Sequence, residues 1–362
     1  MGLFIFSRNT LASLAPLTAF AFLSACGSAD SGKPVILRPT PAGSNTVLRP
    51  AGPSEPASLD DTDLTPDSNE GPLVSLPIDS GSPDELLFQQ ALAQYEALNY
   101  LEAEQLFTRL VASYPASPRS DNAEYLAGRS AYALGIAQLG AVDQGALDRA
   151  AIAFQAVFTR FPDSPFAHAA HYYLGRADFS SGAFESALVE FQESASDPSA
   201  TFADNAQYYV GRTYFELDQL DLAEPALLTL LRQYPNTTYA DNGTYYLGRA
   251  QFGLQRYLDA LGTFGAVSAF SGSIFLDNAL YYHGRANYEL AELTPALNDF
   301  GALLVDHPAS GYRDNALYYR ARIQADQGAC AAAASTLQEL SAAFPASSYV
   351  ARTRDYLTQG GC

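Results

Sequence analysis

DNALYYHGRANY, residues 277–288, decides the fold, because the same twelve-residue pattern returns along the chain. DNAEYLAGRSAY begins at Asp121, HAAHYYLGRADF at His168, DNAQYYVGRTYF at Asp204, DNGTYYLGRAQF at Asp241 and DNALYYRARIQA at Asp314. Their arginines, Arg129, Arg176, Arg212, Arg249, Arg285 and Arg322, are separated by 47, 36, 37, 36 and 37 residues. A unit of this length holds two helices and a turn, and it buries its apolar face only by stacking on a neighbour. The period therefore predicts an all-α solenoid rather than a globular core.

Within a unit, the signature reads as the first helix and an Ala–Phe pair four residues apart marks one face of the second. The pairs are Ala103 and Phe107, Ala150 and Phe154, Ala187 and Phe191, Ala260 and Phe264, and Ala296 and Phe300. Pro115, Pro162, Pro235, Pro308 and Pro345 close second helices, since proline cannot continue the backbone ladder. Gly182 is read as ending a first helix. Gly128, Gly175, Gly211, Gly248 and Gly284 are read as points of close helix approach. The Asp-Asn that opens most signatures suits a helix cap; His168-Ala169 replaces it in one unit, whose helix is then expected to be capped differently.

These spacings resemble the tetratricopeptide repeat. The resemblance covers seven units, about Asp84 to Val350, followed by a C-terminal capping helix (351–362). It implies a tetratricopeptide-repeat α-solenoid that binds proteins or peptides. The chain departs from the family in one respect. The bulky residue four before the glycine is replaced by Glu124, His171, Gln207, Thr244 or Leu280, and an aromatic sits three before it. The 47-residue step places about ten extra residues, Ile136 to Gly145, in the turn of the second unit, where insertions decorate one edge of a solenoid.

Asn, Tyr, Arg and a further aromatic of each first helix fall on one arc. Stacked copies lay out a ladder of Tyr125, Arg129, Tyr172, Arg176, Tyr208, Arg212, Tyr245, Arg249, Tyr281 and Arg285. Two uses are open to it. Lining a groove, it holds an extended peptide through carboxylates and carbonyls. Packed between units, each Arg stacks on its own Tyr and pairs with Glu216, Glu289 or Asp326 four residues on.

The N-terminus reads differently. Arg8 precedes an apolar run from Leu11 to Leu23, the layout of a secretory signal. Leu23-Ser24-Ala25-Cys26 resembles the lipobox of bacterial lipoproteins, which implies cleavage after residue 25 and acylation of Cys26. An ordinary signal peptide would leave that thiol unmodified. Gly27 after the cysteine implies, by the same resemblance, the outer membrane. Residues 26–83 are rich in Pro, Ser and Gly without periodicity and are expected to form a disordered tether. With Cys26 lipidated, Cys330 and Cys362 remain as an even pair in an oxidising compartment. Cys330 lies in the turn of the last unit, beside which the tail should pass, so a disulfide is expected.

Acidic residues outnumber basic ones 39 to 20, for a formal net charge of −19, which opposes binding to nucleic acid. His168, His171, His283 and His307 lack converging partners for a metal and read as exposed helix residues. The sequence shows no nucleophile–base arrangement, phosphate loop or paired carboxylates, so no catalysis, cofactor or small-molecule substrate is expected. The loops YPASPRSDNAEYLAG and YPNTTYADNGTYYLG resemble repeats of two envelope lipoprotein families: the solenoid component of the β-barrel assembly machinery and the Tol–Pal-associated division proteins. The long tether is unlike the first, and the lack of an N-terminal coiled coil unlike the second. The resemblance implies a lipid-anchored periplasmic scaffold for envelope proteins, in outer-membrane protein assembly or division. An accessory regulator of a peptidoglycan-modifying enzyme is the alternative.

Overall fold

The computed structural model describes residues 81–137 and 142–362, all within the unit Ser58–Cys362. The signal peptide, Cys26, the tether up to residue 80 and the middle of the insertion (138–141) lie outside the described residues. The described chain forms seven helical hairpins and one further helix. The hairpins are α1 (Pro83–Glu96) with α2 (Tyr100–Ser113), α3 (Ser120–Ile136) with α4 (Gln144–Arg160), and α5 (Ala167–Ser180) with α6 (Phe184–Ser194). They continue as α7 (Ala203–Glu216) with α8 (Leu220–Gln233), α9 (Ala240–Gly253) with α10 (Tyr257–Val267), α11 (Leu276–Glu289) with α12 (Leu293–Asp306), and α13 (Arg313–Asp326) with α14 (Cys330–Ala343). The last helix, α15 (Ser348–Gln359), packs on α13 and α14. First helices of successive units lean directly on one another, whereas each second helix lies mainly between two first helices. The first helices therefore form the inner layer of the stack.

Inside a hairpin the glycine and the phenylalanine explain each other. A Cβ on Gly128 would stand 2.7 Å from the Phe154 ring, and one on Gly248 would stand 2.6 Å from Phe264. Between units the two signature aromatics divide the work. The first stacks on the aromatic that enters the next unit: Tyr172 on Phe202 at 4.9 Å, Tyr245 on Phe275 at 4.6 Å and Tyr281 on Tyr312 at 4.5 Å. The second stacks on the phenylalanine of the preceding second helix, as in Phe191–Tyr209 at 4.8 Å and Phe300–Tyr319 at 5.4 Å. The aromatic core is thus continuous across junctions.

The Asp-Asn pair does not cap its helix. The residues at the cap are Arg119, Phe166, Phe202, Tyr239, Phe275 and Tyr312, none with a side-chain cap bond, and the His168 helix begins in the same way. The aspartate sits inside the first turn, where in three units its carboxylate accepts a hydroxyl from the entry loop of the next unit. Ser117 donates to Asp84 at 2.5 Å, Ser164 to Asp121 at 2.8 Å and Ser347 to Asp314 at 2.6 Å. Each of these hydroxyl oxygens also accepts the backbone N–H two residues on. The turn between helices places one residue at positive φ. Gly182 and Gly328 occupy it in two units, but Leu98, Asp218, Gln255 and Ala291 adopt it near 60° in four others. Glycine there is favoured but not required, since interactions on both sides hold the turn.

Both ends of the stack are specialised. In α1, Gln89 and Leu92 stand where later units carry their second tyrosine and arginine, and Gln89 is exposed. Glu85 replaces the signature asparagine, and Arg119 replaces the stacking aromatic. The two form a buried pair, Nε to Oε2 at 2.8 Å, with the guanidinium 5.0 Å over Phe88. At the other end α15 keeps Ser347, Tyr349 and Tyr356, which face the preceding unit. Ala351 stands where a further unit would have its clasp aspartate. Cys330 and Cys362 form a disulfide that ties the end of α15 to the start of α14.

Gly128→Ala is expected to destabilise the chain by about 1–3 kcal/mol through overpacking against a fully buried ring. Gly301→Ala, where nothing lies within 4 Å, should stabilise by about 0.5–1 kcal/mol. Denaturant melts of both variants check this. Glu85→Asn or Arg119→Phe alone strands a buried charge and should cost about 3–5 kcal/mol. The double variant restores the pattern of the other units and should recover most of that loss, which a double-mutant cycle measures.

Candidate functional site

The ladder arginines lie in the junctions between first helices. Each guanidinium sits over a ring of the unit before and a ring of the unit after. Arg129 is 5.9 Å from Tyr95 and 4.5 Å from Tyr173; Arg176 is 5.7 Å from Tyr132 and 4.8 Å from Tyr209. Arg212 is 5.0 Å from Phe179 and 5.2 Å from Tyr246; Arg249 is 5.1 Å from Phe215 and 4.4 Å from Tyr282. Arg285 is 4.7 Å from Phe252 and 5.5 Å from Tyr319; Arg322 is 5.1 Å from Tyr288 and 4.5 Å from Tyr356. Such contacts strengthen when the cation is withdrawn from water. Burial opposes the charge on Arg129, but the tyrosines around it, Tyr173 foremost, raise its pKa above the ordinary guanidinium value.

This geometry corrects the peptide-binding reading of most of the ladder. Tyr125, Tyr172, Tyr208, Tyr245 and Tyr281 are at most 2 % exposed, and Arg129, Arg176 and Arg212 are 6 %, 2 % and 4 % exposed. These residues serve the junctions. The partner of each arginine is also a ring of the neighbouring unit, besides its own tyrosine and, for Arg212, Arg285 and Arg322, an acid four residues on. Arg212 reaches Glu216 only at 3.9 Å. From Phe215 onwards the ladder opens. Phe215, Arg249, Phe252, Arg285, Tyr288, Arg322 and Tyr356 are all half-buried, alternating ring and cation across the C-terminal units. The sequence could not show this gradient, because the repeated residues are the same where they are sealed and where they are not.

Several arginines elsewhere on the fold are paired with carboxylates. Arg149 binds Glu104 at 2.6 Å and Arg160 binds Glu124 at 2.7 Å, while Arg256 pairs with Glu224 and Arg320 with Glu339. Two histidines read as exposed are engaged as well. His171 stacks on Phe158 at 4.0 Å and meets Glu190 at 2.7 Å; His283 meets Asp299 at 2.9 Å. Among the described residues, no three His, Cys, Asp or Glu side chains gather as a metal would require, and no helix is long and apolar enough to cross a membrane.

Asp178 lies near the end of α5, where burial, and secondarily the charge of Glu190, push its pKa up to about 6. An acid whose folded pKa is raised favours folding while protonated, and that contribution is lost as pH rises through the folded value. Asp178→Asn should therefore raise the melting temperature at pH 7.5. The gain should shrink between pH 6 and about 4 and vanish below the ordinary carboxylate range, which melts across that pH series measure.

The tetratricopeptide-repeat family models match residues 139–201, 85–117, 205–237 and 315–347. No curated protein sequence matches the chain. Among solved structures, the C-terminal part of a tetratricopeptide-repeat protein from Cytophaga hutchinsonii is similar at TM-score 0.57 and 18% identity, covering 75% of this chain and 99% of that one. The apo form of RapI is similar at TM-score 0.53 and 14% identity, covering 75% of this chain and 80% of that one. Identities this low speak for the fold alone. The matched segments, and the hairpins that carry their period through the stretches between them, give the chain the tetratricopeptide-repeat solenoid fold.

Proposed function

We propose that this repeat scaffold is an outer-membrane lipoprotein, anchored through acylated Cys26, whose periplasmic solenoid binds envelope proteins during outer-membrane protein assembly or division. The observation that carries the binding role is the half-buried run of rings and arginines on the first-helix layer of the C-terminal units. A surface of alternating apolar and donor groups that the fold leaves partly uncovered suits a protein partner. The C-terminal disulfide supports an oxidising compartment. The lipobox-like LSAC at residues 23–26 supports the anchor. Several acyl chains give firm attachment at about 0.8 kcal/mol per buried CH₂.

Cys26→Ser should abolish incorporation of labelled palmitate and release the protein from the membrane fraction into the soluble periplasm. Palmitate labelling and fractionation of wild type and variant test this. An unmodified Cys26 in the mature protein, detected by mass spectrometry, overturns the anchor. Crosslinking in cells through the solenoid should capture envelope proteins; capture of none overturns the scaffold role.

A further inference from the structure

The partly open run on the first helices has one rung that differs from the rest. Five ladder arginines donate an Nη1 proton to the hydroxyl of the tyrosine four residues before. The distances are 3.5 Å for Arg129, 2.8 Å for Arg176, 3.4 Å for Arg212, 2.8 Å for Arg249 and 3.1 Å for Arg322. Arg285 makes no such bond. The hydroxyl of Tyr281 accepts from Asn315 Nδ2 at 3.2 Å, whereas that of Tyr245 accepts from both Asn278 and Arg249. Arg285 has no hydrogen-bond acceptor among the described residues, and its Nε is buried without one. A guanidinium has five donors in a planar fork, and leaving buried donors unmet is costly. Phe252 and Tyr319 flank the guanidinium, 4.7 and 5.5 Å from its Cζ, so an acceptor must reach it between them.

The charges beside the run limit what that acceptor is. Glu216, Glu289 and Asp326, one turn beyond Arg212, Arg285 and Arg322, are all exposed. They oppose an anionic ligand and favour a neutral or cationic one, whose acceptors are then its backbone carbonyls. Spacing narrows the ligand further. Packed helices stand about 8–10 Å apart, and one turn of polyproline II, three residues at 3.1 Å each, advances about 9.3 Å. Each turn of such a ligand therefore brings a carbonyl to the next first helix, and its pyrrolidine rings meet the aromatic side chains between the arginines. A β-strand, whose same-face groups repeat every two residues or about 6.8 Å, falls out of step.

From this we infer that the C-terminal half of the solenoid binds a proline-rich, basic segment in the polyproline II conformation, with Arg285 donating to a backbone carbonyl. The inference rests on the scaffold reading and specifies its ligand. The test is fluorescence anisotropy of the full chain with labelled peptides of equal length. Repeated Pro-Pro-Lys should bind at least about tenfold tighter than repeated Gly-Ser-Lys, a difference on the scale of one hot spot. It should also bind tighter than repeated Pro-Pro-Glu. Arg285→Gln should remove most of the preference for Pro-Pro-Lys over Gly-Ser-Lys. Glu289→Arg, at an exposed site that does not threaten folding, should weaken Pro-Pro-Lys binding; Arg109→Gln on the second-helix surface should change nothing. Equal binding of the two lysine peptides would leave only charge attraction and overturn the inference, as would an Arg285→Gln chain that folds and keeps the preference. A photocrosslinker at Tyr288 and another at Ile152 on the outer surface separate the two levels. Partner capture only at Ile152 sinks this ligand site while keeping the scaffold, whereas capture at neither sinks both.

Discussion

The guanidinium held between aromatic rings of successive units is the interaction on which the stack depends. Arg129, Arg176 and Arg212 are 6 %, 2 % and 4 % exposed, and aromatic rings of the units on either side flank each guanidinium. A buried ion pair would require two desolvated charges per junction. A planar cation against aromatic faces requires one, and it brings the apolar rings together as it does so. Lysine would not serve, since its ammonium is compact, strongly hydrated and cannot lie flat between two rings. The arginine therefore recurs for the same reason as the glycine beside it, which alone admits the phenylalanine of the second helix. Both residues answer to the geometry of a junction.

The ends of the stack make the same point by what they lack. A forward-facing group is retained only where another unit follows, and a backward-facing group only where one precedes. Thus α1 keeps Asp84, whose carboxylate meets Ser117, but has Leu92 where the arginine would stand. The final helix keeps Tyr356, which lies over Arg322, but has Ala351 in place of the clasp aspartate. At the first junction the clasp survives while the aromatic stack is exchanged for Glu85 and Arg119. The exchange is legible only as a pair, because either substitution alone leaves a buried charge without its partner. The disulfide then fixes the final helix of the described chain to the hairpin before it.

Much of the fold was legible in the sequence, and for one physical reason: periodic burial imposes periodic residue choice. The arginine spacing marked six of the seven hairpins, the Ala–Phe pairs marked the inner face of the second helices, and the prolines marked their ends. Asp121 and its equivalents were misread as helix caps because a short acceptor near a helix start suits either a cap or a contact with another chain segment. The clue lay 33 to 43 residues away, in the serine or threonine two before most entry aromatics, such as Ser164 before Phe166. The positive-φ turn position was visible at Gly182 and hidden at Leu98, Asp218, Gln255 and Ala291, where surrounding contacts override the preference for glycine. His171 and His283 were taken for exposed residues because their partners, Glu190 and Asp299, come from the second helix and share no periodic signal with them.

The candidate site was less legible, and the reason follows from the repeat itself. A residue demanded by every junction appears in every unit, so its recurrence carries no information about ligands. The ladder read from the signature was therefore a list of structural residues. Tyr208 and Arg212, sealed, are the same residue types as Tyr245 and Arg249, where the arginine is half-buried. Information about binding resides instead in departures from the pattern that the fold does not need. Arg285 is one such departure: it makes no hydrogen bond to the hydroxyl four residues before, although every residue involved matches the signature. Side-chain types alone cannot reveal a hydrogen bond made in one unit and missing between identical partners in the next. A repeat protein's ligand site is thus best sought where the chain keeps the consensus residues and the contacts between them change.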